Sequence, residues 1–127
     1  RPKALLDDKD RASDGHLRQA VADIVALPSD VAYAKMDYPL VLLEAMALAR
    51  PVVVATGTPA AELADGDAAR AVAPDADAVA EALSKLIADP SEREALGARA
   101  RSAALGEYDR ARMARAYEAL YDTLLRE

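Results

Sequence analysis

Hydrophobic positions along the chain fall either into short uninterrupted runs or into helical spacings. The runs at residues 24–27 and at 51–55 (PVVVA) predict two buried parallel strands, because strands covered on both faces carry continuous apolar residues. Residues 69–73 predict a third short strand. Between the first two, residues 39–49 (PLVLLEAMALA) predict a helix that is buried on every side, with Glu44 as its single charge.

Residues 75–127 predict a helical tail. Its first helix, capped by Asp75 or Asp77, carries one apolar face. Asp89 and Pro90 interrupt the pattern, and Ser91 with Glu94 has the spacing of a capping box at the start of the next helix. After a second break at Gly106, the last helix carries an apolar stripe that consists of Met113, Tyr117, Leu120, Tyr121 and Leu124.

Strands that alternate with helices predict a parallel sheet with right-handed crossovers. The predicted fold class is therefore α/β with a helical C-terminal third. A chain of 127 residues corresponds to one domain.

Composition excludes several classes of function. The net charge of −6 disfavours nucleic-acid binding, which needs a concentrated basic surface. With no cysteine and one histidine, the chain has too few soft ligands for a zinc site, so we expect no bound metal. No apolar run approaches the roughly 20 residues of a membrane span, and we expect a cytoplasmic protein.

Ligands of open parallel sheets bind beyond the carboxyl ends of the strands. Two loops qualify here, residues 28–39 and residues 56–59. The helix that starts near Pro39 would point its positive end into the first loop. Glu44 in that helix is costly to bury unless it is paired, so it is either a structural ion-pair partner or a ligand-binding carboxylate.

Other polar residues support weaker interpretations. Asp7, Asp8 and Asp30 could form the acidic cluster of a response-regulator receiver domain, but the 22 residues from Asp8 to Asp30 are too few for the elements that such a domain places there. His16 fits an exposed helix face better than a catalytic role. The arginines at 110, 112 and 115 would allow contact with acidic lipid headgroups, although a solvated helix face fits them better.

The segments DIVALPS (23–29), LLEAMALARPVVVA (42–55) and GTPAAEL (57–63) together resemble the donor-binding half of retaining GT-B glycosyltransferases of family 4. The helical tail, with DPSEREALGARA (89–100) and YDTLL (121–125), extends the resemblance. It implies part of a Rossmann-like parallel sheet. It also implies a nucleotide diphosphate sugar as substrate, with no other cofactor.

The resemblance assigns roles residue by residue. Glu44 matches the glutamate that accepts hydrogen bonds from the ribose hydroxyls, and Leu40 and Val41 match the helix start whose backbone N–H groups face the diphosphate. Ser29, after Pro28, matches the proline-serine turn beneath the donor. Glu62 matches a glutamate with a structural role.

The chain departs from the family pattern at several positions, among them Thr58 and Pro59, which stand where a glycine pair is expected before Glu62. Met36 stands where the family has its first glutamate, beside the transferred sugar, and a thioether accepts only weak hydrogen bonds. Asp37 is the alternative acceptor, although a one-residue shift redirects its side chain. Asp37 and Pro39 also replace two glycines. These departures motivate an alternative, a non-catalytic binding module on a degenerate GT-B half-domain.

The resemblance leaves residues 1–14 unassigned and lacks both an N-terminal acceptor domain and the first half of the donor domain. The expectation is a partial donor-binding domain that is inactive alone and belongs to an intact glycosyltransferase; a nucleotide-sugar epimerase shares the same superfold. Without the missing strands, a parallel edge strand would be open, so we expect the isolated chain to self-associate, either edge to edge or by swapping an element.

Overall fold

Three parallel strands form the centre of the molecule. The computed structural model describes residues 20–29 and 40–126. Strands β1 (Val25–Leu27), β2 (Val52–Ala55) and β3 (Arg70–Val72) lie side by side in that order, and both pairings are parallel. The predicted α/β class with a parallel sheet is confirmed.

Besides the helical residues 20 and 21, five helices and one short 3-10 turn accompany the sheet in the described residues. The 3-10 turn Pro59–Ala61 leads directly into the short helix that begins at Glu62. The helices are α1 (Leu40–Ala47), α2 (Glu62–Asp65), α3 (Ala76–Ala88), α4 (Pro90–Gly106) and α5 (Arg110–Leu125). Since α3, α4 and α5 follow one another after β3, the C-terminal third is helical, as predicted.

The middle strand β2 is covered on both faces. Val52 and Val54 belong to a cluster formed with α1, α2 and the second half of α4, whereas Val53 belongs to a second cluster with α3 and the start of α4. All three valines are fully buried. Alternate side chains of a strand point to opposite faces, so an unbroken run of valines is what a strand with two covered faces requires.

The start of α4 differs from the prediction. The side chain of Asp89, not that of Ser91, caps this helix by accepting a hydrogen bond from the Glu92 N–H at 3.0 Å. Pro90 then occupies the first helical position, where its missing N–H costs nothing. Asp89 also ends α3, so one residue separates the two helices. The cap of α3 is Asp75, one of the two predicted candidates.

Several predictions fall on residues outside the described ranges. They include the expectations for residues 1–14 and for His16, Met36, Asp37 and Pro39. Within the described ranges, no helix has both the length and the apolar character that a membrane crossing demands.

Candidate functional site

The carboxyl ends of the three strands define one edge of the sheet. Ser29 lies two residues beyond β1, the turn 56–58 follows β2, and Pro74 lies two residues beyond β3. Because α1 connects the carboxyl end of β1 to the start of β2, its amino end belongs to the same edge. The second loop predicted to bind a ligand and the described start of the first, residues 28 and 29, therefore lie at the same edge; residues 30–39 lie outside the described part of the chain.

Local hydrogen bonds fix the turns at this edge. The Ser29 N–H donates to the Leu27 carbonyl oxygen at 3.0 Å, which folds the proline-serine turn back on its strand. The Thr56 N–H donates to the Val72 carbonyl oxygen at 2.8 Å, and the Thr58 hydroxyl donates to the Ala55 carbonyl oxygen at 2.8 Å. Gly57 between them has a φ of 78°, a left-handed conformation that glycine adopts without strain.

Helix α1 buries only one face. Leu42, Ala45 and Met46 are fully enclosed in the core. Leu40 and Val41 in the first turn keep 74% and 41% of their surface exposed. The prediction of a helix buried all round is therefore wrong, because the core of the described residues covers one side only.

Glu44 lies on the face of α1 away from that core. It is half-buried, and it takes part in a polar interaction within the structure. The first N–H groups of a helix have no acceptor within the helix and lie at its positive end. Those N–H groups, at Leu40 and Val41, and the carboxylate of Glu44 thus lie within about one turn of each other.

Contacts at the other end hold α1 in place. The Arg101 guanidinium of α4 donates to the carbonyl oxygen of Ala47, one of the last carbonyls of α1. Ala49 adopts a left-handed conformation (φ 57°), and the Arg50 N–H reaches back to the Ala45 carbonyl oxygen at 2.9 Å. Pattern analysis missed Arg101 as a positioning residue, because 54 residues separate it from its acceptor.

A cavity of about 510 Å³ opens at the carboxyl edge on the α3 side. It brings the proline of the proline-serine turn next to the amino end of α3. Its lining residues are Pro28, Pro74, Asp75, Ala76, Val79, Ala80 and Leu83. Glu44, Leu40 and Val41 are not among them, so this cavity and the predicted binding residues lie apart.

The predicted site residues are only partly brought together. Ser29, Leu40, Val41 and Glu44 belong to the elements that meet at the carboxyl edge, while Asp37 lies outside the described ranges. Glu62 is exposed at the start of α2 and takes part in a polar interaction. Within the described ranges no three histidine or carboxylate side chains come close enough to hold a metal ion.

Comparisons with known proteins found one matching family model and a similar solved structure. A family model described as glycosyl transferases, group 1, matches residues 16–89. Among solved structures, the sucrose-phosphate synthase from Thermosynechococcus elongatus matches with a TM-score of 0.70 and 25% sequence identity. That match covers 86% of this chain, so it extends into the helical tail, and it spans 27% of the synthase. No curated protein sequence matches the chain.

Proposed function

Because the chain belongs to the group 1 glycosyl transferases, we propose that it forms the nucleotide-sugar donor-binding part of an enzyme that transfers a sugar from a nucleotide diphosphate to an acceptor. The family model and the structural match show the group 1 glycosyl transferase family and a GT-B, Rossmann-like fold, as predicted. The donor, the residues that bind it and the transfer itself are the proposal.

One observation carries the proposal for the donor site. Glu44 lies on the side of α1 that the core of the described residues leaves open, and the first N–H groups of that helix lie at the carboxyl edge of the sheet. A carboxylate accepts hydrogen bonds from two neighbouring hydroxyls, and a helix amino end attracts an anion. A nucleoside diphosphate presents a ribose diol and a diphosphate at a similar separation.

The same groups have a role in catalysis. Departure of the nucleotide leaves negative charge on the diphosphate, and N–H groups fixed in position stabilise that charge as it develops. The half-buried Glu44 would orient the nucleoside through its ribose, so that the diphosphate reaches the helix end. The chain itself holds no part of an acceptor site in this proposal.

Nucleotide binding to the 127-residue chain tests the proposal directly. UDP, GDP and ADP are titrated calorimetrically, and the nucleotide that binds best is compared with its 2′,3′-dideoxy counterpart. We expect removal of both hydroxyls to weaken binding about tenfold in the wild type, and by less than about threefold in Glu44→Gln, because the charged acceptor is already lost. Glu94→Gln, an exposed change on α4, should keep the wild-type difference.

Two results would contradict the proposal. An equal dideoxy penalty in the wild type and in Glu44→Gln would show that Glu44 does not contact the ribose. No binding of any nucleotide would favour the non-catalytic module that Met36, Asp37 and Pro39 suggest.

A further inference from the structure

Two residues of α4 contact the backbone at the end of α1 and in the turn beyond it. Gly97 is buried and leaves room for the carbonyl group of Ala49, which lies where a side chain on residue 97 would be. Arg101 donates from its guanidinium to the carbonyl oxygen of Ala47. Residues four positions apart lie on one face of a helix, so Gly97 and Arg101 act together, and we call them the α1 clamp.

The segment that the α1 clamp holds is itself rigid. The Ala49 N–H donates to the Met46 carbonyl oxygen and the Arg50 N–H donates to the Ala45 carbonyl oxygen, both at 2.9 Å. Ala45 and Met46 are fully buried. A backbone that is hydrogen-bonded and closely packed transmits a displacement instead of absorbing it. A shift at the clamped end therefore moves α1 as a unit.

The other end of α1 carries most of the proposed donor site. Helix α1 is about 11 Å long, and its first N–H groups and Glu44 lie towards the end that the clamp does not touch. Ser29 belongs to a different element, the turn after β1, which its own N–H fastens to the Leu27 carbonyl oxygen at 3.0 Å. The proposed donor site thus consists of two elements, and its geometry depends on where α1 lies relative to β1.

Gly97 determines how closely α4 and α1 approach. A side chain at this position meets a backbone carbonyl that cannot turn aside, so the two helices would separate by on the order of 1 Å. Helix α4 is anchored in both hydrophobic clusters, by Leu96 in one and by Ala100 in the other. Helix α1 is covered on one face only, so α1 is the helix that moves.

From these contacts we infer that Gly97 and Arg101 are positioning residues of the donor site. They hold α1 so that Glu44 and the first N–H groups of the helix keep their place relative to the turn at Ser29. A hydrogen bond weakens steeply when its donor and acceptor move out of line, so a small shift of α1 lowers the affinity for the ligand. The inference rests on the proposed function for the ligand, whereas the position of α1 is measurable without one.

Residual dipolar couplings of the 127-residue chain without ligand measure the orientation of α1. We expect the couplings of α1 in Gly97→Ala to differ from those of the wild type, because lifting one end tilts the helix by a few degrees. The couplings of β2 should fit the wild-type alignment. Gly106→Ala is the matched control, since nothing lies within 4 Å of a Cβ at that position of α4.

Calorimetric titration with the nucleotide that binds the wild type best measures the consequence for the donor site. We expect binding about tenfold weaker in Gly97→Ala and about threefold weaker in Arg101→Met. Arg101→Lys should recover most of that loss, because an ammonium group can still donate to the Ala47 carbonyl oxygen. Asp89→Ala removes the cap of α4 without touching the α1 clamp, so it lowers stability and should bind as the wild type does.

The outcomes separate this inference from the proposed function. Wild-type affinity in Gly97→Ala would overturn the inference, whether or not α1 has moved, and so would an equal loss of affinity in Asp89→Ala. If the wild type binds no nucleotide, the proposed function fails, and unchanged dipolar couplings of α1 would then overturn the positioning role as well. If Gly97→Ala does not fold, Arg101→Met and Arg101→Lys provide both measurements.

Discussion

The carbonyl oxygen of Ala49 occupies the space that a side chain on Gly97 would need. A Cβ built on Gly97 falls far inside the contact distance of that oxygen, and the carbonyl carbon of Ala49 also lies within 3.0 Å. Ala49 lies two residues beyond the end of α1, and Gly97 lies in the middle of α4. Glycine at position 97 is therefore what lets these helices approach so closely, and α1 carries Glu44.

Replacement of Gly97 by alanine should destabilise the protein by about 2 kcal/mol or more, because a backbone atom cannot move aside as a flexible side chain can. Urea unfolding measures the effect. Gly106→Ala is the matched control: nothing lies within 4 Å of a Cβ there, and its φ is not left-handed. It should be neutral or stabilising by up to about 1 kcal/mol. Equal effects of the two changes would disprove the close packing.

Replacement of Ala49 by glycine should stabilise the protein by about 0.5–1 kcal/mol. Ala49, two residues after the end of α1, adopts the left-handed conformation, which glycine adopts with less strain. The Ala49 and Arg50 N–H groups donate back to the Met46 and Ala45 carbonyl oxygens, so this conformation is part of the helix end.

The control for this change is an alanine-to-glycine replacement that should lower the stability of the protein. Ala98→Gly, at an exposed position inside α4, should cost about 1 kcal/mol in the same unfolding experiment. A loss of stability at both positions would show that the helix end does not require a left-handed residue.

Removal of the Asp89 side chain should weaken the start of α4. Asp89→Ala is expected to cost about 1 kcal/mol, because the Glu92 N–H then loses its acceptor. Ser91→Ala should change stability by less than about 0.5 kcal/mol, since Ser91 is already inside the helix and exposed. Thermal unfolding followed by circular dichroism distinguishes the two, and a larger effect at Ser91 would restore the predicted capping box.

The pKa of Glu81 should lie below its ordinary value. The hydrogen bond from Lys85, one helical turn away at 2.6 Å, and the charge of that ammonium both favour the ionised carboxylate. A carboxyl with a lowered pKa stabilises the folded state above its unfolded pKa, and that contribution is lost as the pH falls through the folded pKa. Lys85→Met should raise the pKa of Glu81 in an NMR titration, and an unchanged pKa would contradict the ion pair.

Strand positions could be predicted because a run of uncharged β-branched residues favours a buried strand over a helix or a loop. The segment 51–55 therefore identifies β2 directly, and Gly106 correctly ends α4. Capping was harder, since both Asp89 and Ser91 can accept a backbone N–H. The outcome depended on Pro90, which fits the first helical position.

The functional assignments depended on different information. Glu44 stood out because it is the single charge in an apolar helix, but its half-buried position depends on which side of α1 the core covers. Gly97 and Arg101 contact the end of α1 from about 50 residues further along the chain. The hydrophobic periodicity of a sequence contains no information on contacts between distant segments. Neither Gly97 nor Arg101 could therefore be assigned a role before the fold was known.

Helix α4 contributes to both hydrophobic clusters, Leu96 to the one around Val53 and Ala100 with Ala104 to the one around Val52 and Val54. The layers on the two sides of the sheet therefore cannot melt one at a time, because loss of α4 exposes both. Amide protons of α1 and α3 should exchange with deuterium through a single global opening, although the sheet separates these helices. Cooperativity in this small domain thus depends on one helix more than on the sheet.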